Sequence, residues 1–127
     1  MKVYCDVDSK NKSWIVIQRR MDGSVNFNRS WADYKAGFGN VRVEFWFGNE
    51  YIYQLTKDKP RELRIDMETF DGRKGYALYS AFSVVSESGK YKLHVGGYTG
   101  DAGDDLESYH NNQSAFTKGA LLFLKIL

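Results

Sequence analysis

The hydrophobic pattern changes period along the chain. In "RELRIDMETF", from Arg61 to Phe70, Leu63, Ile65 and Met67 alternate with Arg64, Asp66 and Glu68. A period of two is that of a strand with one buried and one wet face. "YALYSAFSVV" and "YKLHVGGY" are further extended runs, separated by the polar "SESGK", and Asp71-Gly72 turns the chain before the first of them. The pattern predicts an antiparallel sheet over residues 61–97. Upstream, "NRSWADYKAGFG" predicts a short helix over 30–36, with Ser30 as its cap, Asp33 three residues on, and Gly37 and Gly39 at its end. "GNEYIYQLTKDKP" predicts a second helix over 49–57. There Asn49 is the expected N-cap, Glu50 suits the positive end, Tyr51, Ile52 and Leu55 share a face, and Pro60 stops it. Nearer the N-terminus, "SWIVIQRR" (13–20) and "SVNF" (24–27) flank Asp22-Gly23, which predicts a hairpin. The sum is an α+β domain, an antiparallel β-sheet with short flanking helices.

The last stretch breaks this pattern. In "TKGALLFLKIL" six of the final seven residues are apolar, and only Lys125 interrupts them. A continuous apolar run of this length suits a strand buried on both faces. Two outcomes are open: residues 120–126 form a strand that buries Leu122 and Leu124 against the core, or they form a disordered or short helical tail.

Composition narrows the classes. A chain of 127 residues suits one domain. Its 18 basic and 16 acidic residues are interleaved, so there is no basic stripe of the kind nucleic acid requires. No apolar run approaches the roughly 20 residues of a membrane span, and no signal peptide is visible in residues 1–20. Cys5 is the single cysteine and cannot bridge within the chain.

Read in order, "VYCDV", "W-IVIQRR-DGSVNFNRSW-DYK-GFGN", "EFWFGNEYIYQLT", "ELRIDMETFDG", "YALYSAFSV", "YKLHVGGYTGDAGD" and "SYHNN" resemble the fibrinogen-related (fibrinogen C-terminal) domains. The resemblance covers residues 3 to about 118. It divides the sequence into a partial fibrinogen C-terminal-like domain, 1–118, comprising the N-terminal subdomain and the central sheet region, and a divergent apolar tail, 119–127. Where the family has a run of glycines, "NKS" precedes Trp14. The resemblance implies that Cys5 pairs with a cysteine slightly upstream, which leaves it unpaired here. It also implies that the calcium loop, a second cysteine pair and the ligand pocket lie beyond Lys118, so no cofactor is expected. The tail then reads as a truncation or altered reading of the family pattern.

No catalytic set accompanies these motifs. His94 alternates with Leu93 and Val95 as a sheet-surface residue would, and His110 lies in the turn-like "SYHNN". Neither stands in a nucleophile's context. The carboxylates of "GDAGDD" (100–105) lack calcium-loop spacing and read as a solvated turn. Tyr51, Tyr53, Tyr76, Tyr79, Tyr91 and Tyr98 suit core and rim packing better than a sugar-stacking surface. "RRMDGS" reads as a solvated or salt-bridged edge. Three sequons, at Asn11, Asn28 and Asn112, are candidate N-glycosylation sites, Asn28 the best of them.

The resemblance implies a secreted, lectin-like recognition module for extracellular glycans, acetylated groups or protein partners, in settings such as innate immunity. It implies no enzyme, and Cys5 or the tail offers a route to an oligomer. The alternative is a non-binding structural or partner-dependent fragment.

Overall fold

The computed structural model describes residues 3–69, 74–100 and 120–127. The described elements run β1 (Tyr4–Val7), β2 (Ser13–Arg20), α1 (Trp31–Ala36), β3 (Phe38–Gly39), β4 (Phe45–Trp46), α2 (Asn49–Thr56), β5 (Arg61–Thr69), β6 (Lys74–Val84), β7 (Leu93–Gly100) and β8 (Ala120–Ile126). A 3-10 turn, Glu87–Gly89, lies between β6 and β7. The eight described strands form one antiparallel sheet ordered β3-β4-β2-β8-β5-β6-β7, with β1 pairing β2 off that path.

The predicted alternation on β5 holds. Leu63 and Ile65 are buried while Glu62, Arg64 and Asp66 are partly exposed. On β6 a bulge lies where the partner steps from Arg61 to Leu63, so Ser80 and Ala81 together face Glu62. The inserted residue shifts the parity, and Ala77, Tyr79, Phe82 and Val84 are all buried despite a break in strict alternation. The two helices pack on this core face, where Ile52 joins Leu63, Phe82, Leu124 and Ile126.

Both helices form where the periodicity places them, with one change of cap. Ser30 caps α1, its hydroxyl accepting from the Asp33 N–H at 3.2 Å. Gly37 ends it at φ 92°, where a Cβ would come within 2.5 Å of the Phe47 carbonyl oxygen. Asn49 is not the cap of α2. Gly48 holds that position at φ 119°, and Asn49 is the first helical residue. The Asn49 side chain is taken elsewhere, its Oδ1 accepting from Trp46 Nε1 at 3.0 Å.

The predicted hairpin at Asp22-Gly23 does not form, because residues 24–27 are not a strand. A distant carboxylate reshapes this segment. Glu44 Oε2 accepts from the backbone N–H groups of Met21, Asp22 and Gly23, and Oε1 from that of Val25, all at 2.8–3.0 Å. Four donors that a hairpin ladder would use are thereby satisfied without a partner strand. Glu44 itself is buried. Desolvation pushes its carboxyl up, but the four backbone donors outweigh it and hold the group below its ordinary value.

The apolar run at the C-terminus is strand β8. It lies inside the sheet, antiparallel to β2 on one side and β5 on the other. Leu124 and Ile126 are buried in the core. The side chain of Leu122 lies outside the described residues, as do His110 and the carboxylates after Gly100.

Candidate binding cleft

The face of the sheet opposite the helices carries the polar halves of the alternating strands. Trp14 on β2 is buried there, and its indole N–H donates to Asp8 Oδ2 at 3.0 Å. The other oxygen of Asp8 accepts from the backbone N–H of Lys10 at 2.8 Å and of Lys12 at 2.9 Å. One carboxylate thus shapes the β1–β2 turn and fixes the indole. The Trp14 bond first, and then the Lys12 N–H, hold the Asp8 carboxyl below its ordinary value.

Lys125 comes from β8, opposite Val16 of β2 and Arg64 of β5. Its ammonium lies 2.8 Å from Asp6 Oδ2 and 5.2 Å from the centroid of the Trp14 ring. Ion pairing and the ring's negative face compensate a cation whose side chain is only 8% exposed. On β5, Arg64 Nε donates to Asp66 Oδ1 at 3.0 Å, and its guanidinium sits over the Tyr76 ring at 4.6 Å.

Between the Asp8–Lys12 turn and the polar side of β5 lies a cleft of about 350 Å³. Trp14 and Lys125 line its centre, Glu62, Arg64 and Asp66 one wall, and Lys10 and Lys12 the other. Its lining carries both signs of charge, and no thiol, serine–histidine pair or cluster of metal ligands is found among the described residues around it. The chemistry it offers is hydrogen bonding and ion pairing to a polar ligand.

The residues singled out from sequence lie elsewhere. Cys5 is exposed and free on β1, beside Ile15 of β2. Asn11 is exposed in the β1–β2 turn at φ 62°, near the cleft's rim. Asn28 is exposed ahead of α1, its N–H bonded to Asn26 Oδ1 at 2.9 Å. Asn112 lies outside the described residues. His94 is exposed on β7 opposite Ser83. Of the six tyrosines, Tyr79 and Tyr91 are buried, and Tyr79 lies 5.6 Å from Tyr98. Arg20 is not a solvated edge residue. It is buried with its guanidinium 3.5 Å from the centre of the Phe27 ring. The cleft's residues carried only faint signals: the lone charge in the final apolar run is Lys125, and the wet side of the period-two strand holds Arg64 and Asp66.

The family model of the C-terminal globular domain of fibrinogen beta and gamma chains matches residues 1–123. The protein belongs to this family. The match reaches past the boundary drawn at residue 118 and into β8. Human fibroleukin is 53% identical over 119 residues, which are 91% of this chain and 27% of fibroleukin. The fibrinogen-like globe domain of human ANGPTL2 superposes with a TM-score of 0.81 at 48% identity, over 86% of this chain and 50% of that one. Lamprey fibrin D-dimer, solved with the peptide Gly-His-Arg-Pro-amide, gives a TM-score of 0.75 at 42% identity, over 80% of this chain and 33% of that one. This fibrinogen-related protein therefore spans about a quarter of fibroleukin and half of the ANGPTL2 domain.

Proposed function

We propose that this fibrinogen-related protein is a non-catalytic recognition module of the extracellular space, and that the cleft over Trp14 is its ligand surface. Among glycans, acetylated groups and protein partners, the cleft favours a polar protein segment. The observation that carries this reading is one walled space lined by both signs, the cations Lys10, Lys12, Arg64 and Lys125 with the carboxylates Asp8, Glu62 and Asp66. A peptide that carries both signs can pair with each wall, and complementarity of this kind sets specificity and register. The peptide held by the lamprey relative is consistent with peptide recognition in the family. Placement outside the cell fits the exposed sequons Asn11 and Asn28. Of the two routes to an oligomer, Cys5 is favoured, because β8 is hydrogen-bonded along both edges within the molecule.

The test is a peptide array of mixed-charge sequences probed with the whole protein, beside a glycan array and acetylated beads with and without calcium. Binding to mixed-charge peptides should weaken with salt. It should also weaken in a Lys12→Ala/Glu62→Gln double variant. A second reading, a non-binding structural or partner-dependent fragment, is favoured by charges of the cleft that are already paired within the molecule, Lys125 with Asp6 and Arg64 with Asp66. Silence on all three surfaces would select it.

A further inference from the structure

Two of the four cations that line the cleft are paired within the molecule, Lys125 with Asp6 and Arg64 with Asp66. The other two, Lys10 and Lys12, are exposed and have no ion partner among the described residues. The unpaired positive charge of the cleft therefore sits on the β1–β2 turn. Between these two lysines stands Asn11, which with Lys12 and Ser13 forms an N-x-S acceptor sequence.

The turn is held by bonds that leave the Asn11 side chain unused. Asn11 lies at φ 62°, a left-handed conformation that asparagine tolerates better than most residues. Its N–H donates to the Asp8 carbonyl at 3.1 Å, and the Asp8 N–H donates to the Lys12 carbonyl at 3.0 Å. Asp8 Oδ1 takes the N–H groups of Lys10 and Lys12 on either side. Asn11 and Ser13 are both exposed, and neither side chain has a hydrogen-bond partner among the described residues. The sequon at Asn28 differs on both counts. Its hydroxyl, Ser30 Oγ, caps α1, and it is not part of the cleft's lining.

We propose that Asn11 is an N-glycosylated residue whose glycan gates the cleft, excluding the polar protein segment that the unmodified protein admits. The gating rests on the reading of the cleft as a ligand surface. The donor is an oligosaccharide carried on a lipid diphosphate. The amide nitrogen of Asn11 bonds to C1 of the first sugar, and the C1–O bond to the diphosphate breaks. Its electron pair leaves with the lipid diphosphate, and the amide proton passes to solvent. The acceptor sequence is local, so transfer needs no partner from elsewhere in the fold, and the exposed turn accommodates the product. Attached one residue from each unpaired lysine, the bulky hydrated chain occupies the approach to both ammonium groups. A ligand reaches them only by confining that chain, which costs entropy and weakens binding.

The experiment compares the whole protein secreted from cultured animal cells with its Ser13→Ala variant and with the parent after enzymatic removal of N-glycans. Ser13→Ala removes the acceptor sequence at Asn11 alone and leaves Asn28 and the cleft's lining intact; thermal melts confirm its fold. Mass spectrometry of peptides should find a glycan on Asn11 in the parent and none there in Ser13→Ala. A synthetic peptide of alternating Asp and Lys residues should bind the glycosylated parent about tenfold more weakly than either unmodified form. Acylation of Lys10 and Lys12 by an activated acetyl ester should also be slower in the glycosylated parent, a readout that needs no ligand. An unmodified Asn11 in the secreted protein overturns the proposal. So do equal acylation rates, or equal peptide binding by glycosylated and unmodified forms. If neither form binds the peptide, the recognition reading of the cleft falls instead, and the acylation rates alone decide whether the glycan covers the turn.

Discussion

Lys125 and Asp6 meet at 2.8 Å across 119 residues of sequence. The pair ties the last strand to the first, with Trp14 between them and Asp8 holding the indole from behind. One partner is buried and the other is 40% exposed on its side chain, so its worth lies between that of surface and buried pairs. A double-mutant cycle on Lys125→Met and Asp6→Asn is expected to give a coupling of about 1 kcal/mol by urea unfolding. A coupling of zero would mean that the pair itself adds nothing to stability.

Strand β8 is expected to be integral to stability. Ile126 is fully buried, and Ile126→Ala should cost about 2–5 kcal/mol in denaturant unfolding. Deleting residues 120–127 removes a central strand and exposes the facing edges of β2 and β5, so the melting temperature should fall and aggregation should rise. A deletion that improved solubility at an unchanged melting temperature would refute the docked strand.

Glu44 predicts an acid limb. Its folded carboxyl lies below the ordinary value of 4.5, so its stabilisation is complete above that pH and is lost as pH falls through the lower folded value. Glu44→Gln should cost about 1.5–3 kcal/mol at neutral pH, the range for hydrogen bonds to a charged group. The variant should also lose less stability than the parent on acidification from pH 5 to pH 3, followed by thermal melts.

Tyr91 predicts the alkaline counterpart. Burial first, and then the hydrogen bond to Glu50, raise its phenol above the ordinary value of 10.0. The stabilisation from its neutral form is present below pH 10 and is lost above it, as the unfolded protein ionises more readily. Absorbance titration of the folded protein should show Tyr91 among the tyrosines that ionise late, together with Tyr34, whose phenol burial also raises. In Tyr91→Phe that late component should shrink by one tyrosine.

Cys5 is exposed on β1, which among the described strands pairs with β2 alone. Under oxidising conditions it is expected to form intermolecular disulfides. Non-reducing electrophoresis should show a dimer band that disappears in Cys5→Ser. Monomer alone after air oxidation would count against it.

What the sequence determined by itself was the set of elements whose signals are local. Ser30 and Gly37 bound α1 because a cap and a left-handed glycine act within one turn of the helix. The period of two in "RELRIDMETF" sorted Leu63 and Ile65 from Arg64 and Asp66 because the pleat alone does so. Three matters were decided only in the folded molecule, each by a partner far along the sequence. Asp22-Gly23 failed as a hairpin because the carboxylate of Glu44, about twenty residues on, took the donors a ladder would have used. The cleft could not be read in advance because Trp14, Arg64 and Lys125 are neighbours only across sheet pairing. The fate of "ALLFLKI" was undetermined locally, since a run that is apolar on both faces has no period to separate strand from helix. Two edges facing each other across the width of a single strand settled it, because only an extended segment satisfies the backbone groups of β2 and β5 at once.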